Sequence, residues 1–62
     1  MQYQVTEIQF DFEEITLEDQ NDITSEVIGT IWEAIDDEDL IDEITTATGW
    51  CILSIDYRVV LV

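Results

Sequence analysis

The segment from Trp50 to Val62 most narrows what this chain can become. Cys51, Leu53, Ile55, Tyr57, Val59 and Leu61 take one parity, and Ile52, Ser54, Asp56, Arg58 and Val60 take the other. A period of two sustained over that length reads as a β-strand. A strand needs neighbours for its N–H and C=O groups. Tyr3 to Phe12 offers one. Tyr3 and Val5 share one parity, while Ile8, Phe10 and Phe12 share the other. A β-bulge near Thr6-Glu7 brings both apolar sets onto one face.

The residues between read as helices. Thr16 can cap a first helix, and Glu18 and Asp19 sit in its first turn, where the positive end of the helix dipole favours acids. Leu17, Thr24, Val27 and Ile28 fall on one stripe, with Ile23 beside it. Gly29 is placed to end that helix in the left-handed conformation. Thr30 to Ile35 then reads as a short strand. Asp36, Asp37, Glu38 and Asp39 crowd the start of a second helix. Its stripe is Leu40, Ile41, Ile44 and Ala47 or Thr48, and Gly49 ends it. The pairs Gly29/Gly49, Ile35/Ile55, Asp36/Asp56 and Asp22/Asp42 each keep an offset of 20 residues, so both halves read helix, Gly, strand.

The expected fold is a single small α+β domain over residues 1–62. It has two layers in the order β-α-β-α-β, with two helices on one face of a three-stranded sheet. The alternative is β-α-α-β, with Ile23, Val27, Ile28, Ile31 and Ile35 on one long helix. That helix would carry Gly29 inside it at about 1 kcal/mol against Ala.

Charge sets the exclusions. The chain has 16 Asp or Glu, one Arg, and neither Lys nor His, for a net charge of -15. Direct nucleic-acid binding needs Lys or Arg against phosphates, and anionic membranes need the same. No apolar run approaches the ~18 residues of a membrane span, and the N-terminus lacks a signal-peptide pattern. A cytoplasmic protein is expected. Without His, the Ser-His-Asp, Cys-His and His-zinc chemistries are closed. Cys51 has no partner for an intrachain disulfide and reads as a buried thiol. Paired-carboxylate catalysis needs a cleft, and so short a chain leaves little room for ~300 Å³. No enzyme activity, cofactor or dedicated metal site is expected. Asp36–Asp39 with Asp42 and Glu43 is dense in oxygens but fails the calcium-loop pattern, since Asp42 stands where Gly is required.

The acids are clustered. Six lie from Asp11 to Asp22 and seven from Glu33 to Glu43. If the strands run parallel, both clusters share one rim of the sheet. Acids at helix starts are ordinary chemistry, but the absence of Lys is not. The candidate partner-binding residues are Glu13, Glu14, Glu18, Asp19, Asp36, Asp37, Glu38, Asp39, Asp42 and Glu43, with Trp32 and Trp50 as apolar anchors.

The stretch Ala47-Thr48-Gly49-Trp50-Cys51-Ile52-Leu53-Ser54-Ile55-Asp56-Tyr57-Arg58, following the acidic run Asp36–Asp39, resembles small acidic proteins of cyanobacteria and their phages. The resemblance covers about half of the chain. It implies no assigned activity and carries over no functional residues; it favours a cytosolic, non-enzymatic protein.

Three functions follow as expectations. The first is an acidic module that docks on a basic protein surface, with a nucleic-acid mimic as the special case. A compact chain of this length is on the order of 27 Å across. Its 15 net charges then approach the ~1.7 Å per charge of duplex DNA. The second is an assembly protein that forms a homodimer through an apolar sheet face or the C-terminal strand. The third is a regulator that binds divalent cations.

Overall fold

A computed structural model describes residues 1–61. The elements are β1 (Gln2–Phe10), α1 (Leu17–Gly29), β2 (Ile31–Glu33), α2 (Asp37–Thr48) and β3 (Ile52–Val60). The order is β-α-β-α-β, and the long-helix alternative is excluded because β2 separates the helices. The three strands form one sheet in the order β2-β1-β3, with β1 antiparallel to both neighbours.

The register of β1 against β3 shifts between Val5 and Glu7, leaving Thr6 as the extra residue of a bulge. The bulge puts Tyr3, Val5, Ile8 and Phe10 on one face, and all four are buried. They meet Val27 of α1, Ala34, and Leu40 and Ile44 of α2 in one core. Both helices therefore cover the same sheet face. Polar side chains (Gln2, Gln4, Glu7, Gln9, Ser54, Asp56 and Arg58) alternate with this set and occupy the open face.

Both helix starts are capped by side chains. Thr16 Oγ1 accepts from the Asp19 N–H at 3.1 Å. Asp36 Oδ1 accepts from the Asp39 N–H at 2.8 Å, and Asp39 Oδ2 reaches back to the Ile35 N–H at 2.9 Å. The Asp19 and Asp39 N–H groups are donors that the helices leave free, and the Ile35 bond ties the incoming chain to the first turn of α2. At the far end of α2, Gly49 takes φ 78 and donates to the Thr45 carbonyl, the expected left-handed ending.

Gly29 departs from expectation. It is the last residue of α1 and not left-handed; Thr30 caps the helix with extended geometry (φ -100, ψ 138). The chain can pass straight from α1 into β2, so no reversal is needed there. The two glycines should thus respond oppositely to Ala. A Cβ at Gly29 meets nothing within 4 Å, so Gly29→Ala should stabilise by about 0.4–1 kcal/mol. Gly49→Ala must hold a left-handed φ and should destabilise by about 1–2 kcal/mol. Urea melts of the two variants check the opposite signs.

Other boundaries shift. The first strand stops at Phe10, and β2 keeps only Ile31–Glu33 of the expected run from Thr30 to Ile35. Ile35 is exposed because Asp36 already begins the cap. Leu17 is exposed at the mouth of α1, and Ile41 and Ala47 are exposed on α2. The last strand starts at Ile52, and Val62 lies outside the described residues.

Cys51 is exposed rather than buried. It precedes β3, and its carbonyl accepts from the Asp11 N–H at 2.9 Å. Trp50 takes the inward place instead, edge-on to Phe12 with centroids 5.4 Å apart. A second register shift, between Gln9 and Phe10, leaves Leu53 unpaired and breaks the simple alternation of the last strand.

Candidate functional site

The molecule is elongated, with extents of 37 × 18 × 16 Å. It exposes 4434 Å², above the ~4100 Å² usual for a monomer of this mass, so its charges are spread over a long body. The acidic clusters do not share a rim. Glu13, Glu14, Glu18 and Asp19 follow the C-terminal end of β1. Asp36–Asp39 follow β2, whose last residue pairs with Gln2 at the opposite end of β1. The nine residues of β1, at about 3.3 Å each, hold the clusters apart. The single-rim expectation required parallel strands, and the antiparallel sheet overturns it.

Each cluster has a different local character. Asp36 and Asp39 are committed to capping α2. Asp37 accepts from the Glu38 N–H at 3.1 Å and lies beside the Tyr57 hydroxyl of β3. Glu38, Asp42 and Glu43 are exposed along α2. In the loop before α1, Glu14 adopts φ 52, a conformation that Asn or Gly takes more readily. Glu13 and Glu18 flank it, exposed.

The open sheet face adds more charge. Glu7 of β1 stands directly opposite Asp56 of β3, a like-charged arrangement that costs stability. Arg58, the sole cationic side chain, donates through Nε (2.9 Å) and Nη2 to Gln4 Oε1, a neutral acceptor.

Desolvation raises the Tyr57 pKa above its ordinary 10.0, with the Asp37 hydrogen bond, the Asp37 charge and then Tyr3 adding to it. The folded state therefore holds the Tyr57 proton more tightly than the unfolded chain. This contribution is complete below pH 10 and is lost as pH rises through the higher folded value. Melting temperature should fall more steeply above pH 10 in the parent than in Tyr57→Phe, as thermal scans from pH 9 to 11.5 would record.

The two Trp residues sit at opposite ends. Trp32 is half-buried, and its indole N–H donates to the Val27 carbonyl at 3.0 Å. Trp50 is half-buried beside Phe12. Trp32 also lines a groove of ≈ 380 Å³ between the helices, with Ile23, Glu26, Val27, Thr30, Ala47 and Thr48. A space this large departs from the expectation that so short a chain leaves little room for ~300 Å³. It arises because the small residues Ala47 and Thr48 face the C-terminal half of α1. Glu26 is the one carboxylate in its lining, so paired-carboxylate chemistry has no seat there.

Among the described residues no three metal-ligating side chains come close enough to hold an ion. No helix is long and apolar enough to cross a membrane. No family model, curated protein or solved structure matches the chain.

Proposed function

We propose that this acidic domain is a protein-binding module whose partner is a basic protein surface that otherwise holds nucleic-acid phosphates. The observation that carries this reading is the distribution of charge. Acids occupy both ends and the open face of a body 37 Å long, and its sole cationic side chain is bonded to a neutral amide. Dividing that length by 15 net charges gives about 2.5 Å per charge, against ~1.7 Å along duplex DNA. A globular estimate of 27 Å makes the match closer; the observed elongation makes the mimic less dense than DNA and comparable in kind.

Local stability does not account for all of these acids. Glu14 holds a left-handed backbone position, and Glu7 faces Asp56 across the sheet. Gly or Asn would cost less at the first place and a neutral residue at the second. A surface kept for an electrostatic partner accounts for both. Glu13, Glu14, Glu18, Glu38, Asp42 and Glu43 are the contact acids, and Asp19, Asp36, Asp37 and Asp39 add field while serving their helix ends. Trp32 and Trp50 supply half-buried apolar area beside the clusters. The module is non-enzymatic and cytoplasmic in this reading.

The test is capture on immobilised protein of basic nucleic-acid-binding proteins from the source cell, loaded at 0.05 M NaCl and eluted on a gradient. Retained protein should elute with salt and be displaced by duplex DNA. Combined Glu13→Gln, Glu14→Gln, Asp42→Asn and Glu43→Gln should weaken retention at least about tenfold, roughly 1.4 kcal/mol. If nothing is retained in a salt-sensitive way, the proposal fails.

A further inference from the structure

We infer that β3 is a self-complementary edge that pairs with β3 of a second copy, joining two sheets into one of six strands. Among the described residues no strand pairs with the outer edge of β3. β3 is nine residues long, and about every other residue points its backbone N–H and C=O to that outer edge, unpaired. Sheet edges of this length are usually blunted by Lys, Pro or a run of like charge. Here the side chains are Asp56 and Arg58, one of each sign. In a chain with 16 acids and one Arg, the sole cationic side chain stands two residues from an acid on the one long free edge.

Geometry selects the register. Two copies of one strand can pair antiparallel about a two-fold axis perpendicular to the sheet. Directly opposed residues then share a face. The axis must therefore pass through a residue, not between two. Centred on Tyr57, it sets Asp56 against the second copy's Arg58 and Arg58 against the second copy's Asp56. The same register sets Ile55 against Val59 of the second copy and Val59 against its Ile55, within the regular part of the strand. Moving the axis to position 56 or 58 instead opposes Asp56 to Asp56 or Arg58 to Arg58. Only the Tyr57-centred register unites both ion pairs with the apolar pairs. Val59 is 39% exposed in the single chain, so it has area to lose. The bond to Gln4 uses Nε and Nη2 of Arg58 and leaves Nη1 for a second acceptor.

The open face offers no rival surface of this kind. Its centre is polar, with Glu7 beside Asp56. Two bodies of charge -15 repel at a distance, so pairing belongs to conditions that screen the long-range field.

Sedimentation velocity from 20 μM to 1 mM in 0.5 M NaCl tests the pairing. The parent should shift with concentration from 7.2 kDa toward twice that mass. Asp56→Arg alone and Arg58→Asp alone should each weaken association at least about tenfold, because both contacts become like-charged. Mixing those two variants should restore it, since every opposed pair is again of opposite sign. Circular dichroism of each variant confirms that it is folded, and the mixing arm reads the interface whatever the single substitutions do to stability. A parent that stays at 7.2 kDa to 1 mM overturns the inference. So does association that survives both single substitutions, or a mixture that stays monomeric. Docking on a basic surface weakens with salt whereas this pairing is favoured by it, so either can fail without the other.

Discussion

Leu40→Ala is expected to unfold most of the molecules at 37 °C. Leu40 is fully buried, on the inward stripe of α2, in the core that both helices form with the sheet. Truncating a buried Leu to Ala costs about 2–5 kcal/mol, depending on how far the site collapses. A chain of 62 residues has roughly 3–9 kcal/mol in all, at 0.05–0.15 kcal/mol per residue. The loss is therefore comparable to the whole stability. The surrounding core has little capacity to close the hole, because among the described residues only eight, all hydrophobic, are buried. Leu17→Ala is the control: its side chain is exposed, and the change should stay within about 0.5 kcal/mol. Thermal melts followed at 222 nm compare the two. A Leu40→Ala melting point within 3 °C of the parent would mean that α2 does not hold the core together.

Salt should act almost as strongly, in the opposite direction. The folded chain confines 15 net charges to a radius of gyration of 11.3 Å. An unfolded chain of this length expands to about 24 Å and relieves that repulsion. At 0.01 M salt the Debye length is about 30 Å, nearly the length of the molecule, so acids at its two ends still repel. At 0.5 M it is well under 10 Å and only near neighbours interact. Raising NaCl across this range should stabilise the fold by about 2 kcal/mol or more, or at least about 10 °C in melting temperature. KCl should do the same, since screening ignores which cation supplies it. A shift below 2 °C would show that self-repulsion is a minor contribution to stability.

Much of the fold was legible because it is local. The parity change at Thr6-Glu7 required a bulge, and the register confirms one, because four apolar side chains could reach one core in no other way. Thr16 and Gly49 announced helix ends by chemistry that acts over three or four residues. Cys51 was misread for the reason that Thr16 was read correctly. Alternation assigned it a face, but its position depends on Trp50 packing against Phe12 and on the Asp11 bond to its carbonyl. Leu53 likewise lost its place in the alternation to a second bulge that parity did not reveal. The groove beside Trp32 depends on how α1 and α2 meet, and no residue pattern encodes that spacing.

The site divides in the same way. The sequence by itself determined that the surface would be acidic, that acids would gather before each helix, and that Arg58 would be alone among them. These follow from counting and from the preference of helix starts for negative charge. Only the tertiary structure decided where the acids stand. Side-chain alternation is identical in parallel and antiparallel strands, so it cannot assign strand direction. The antiparallel sheet sends the two clusters to opposite ends, sets Glu7 against Asp56, and leaves the β3 edge free with Asp56 and Arg58 upon it. Strand direction is settled by long-range pairing and by which face each helix can cover. Those choices belong to the whole chain, so the arrangement of the charge, unlike its amount, is a property of the fold.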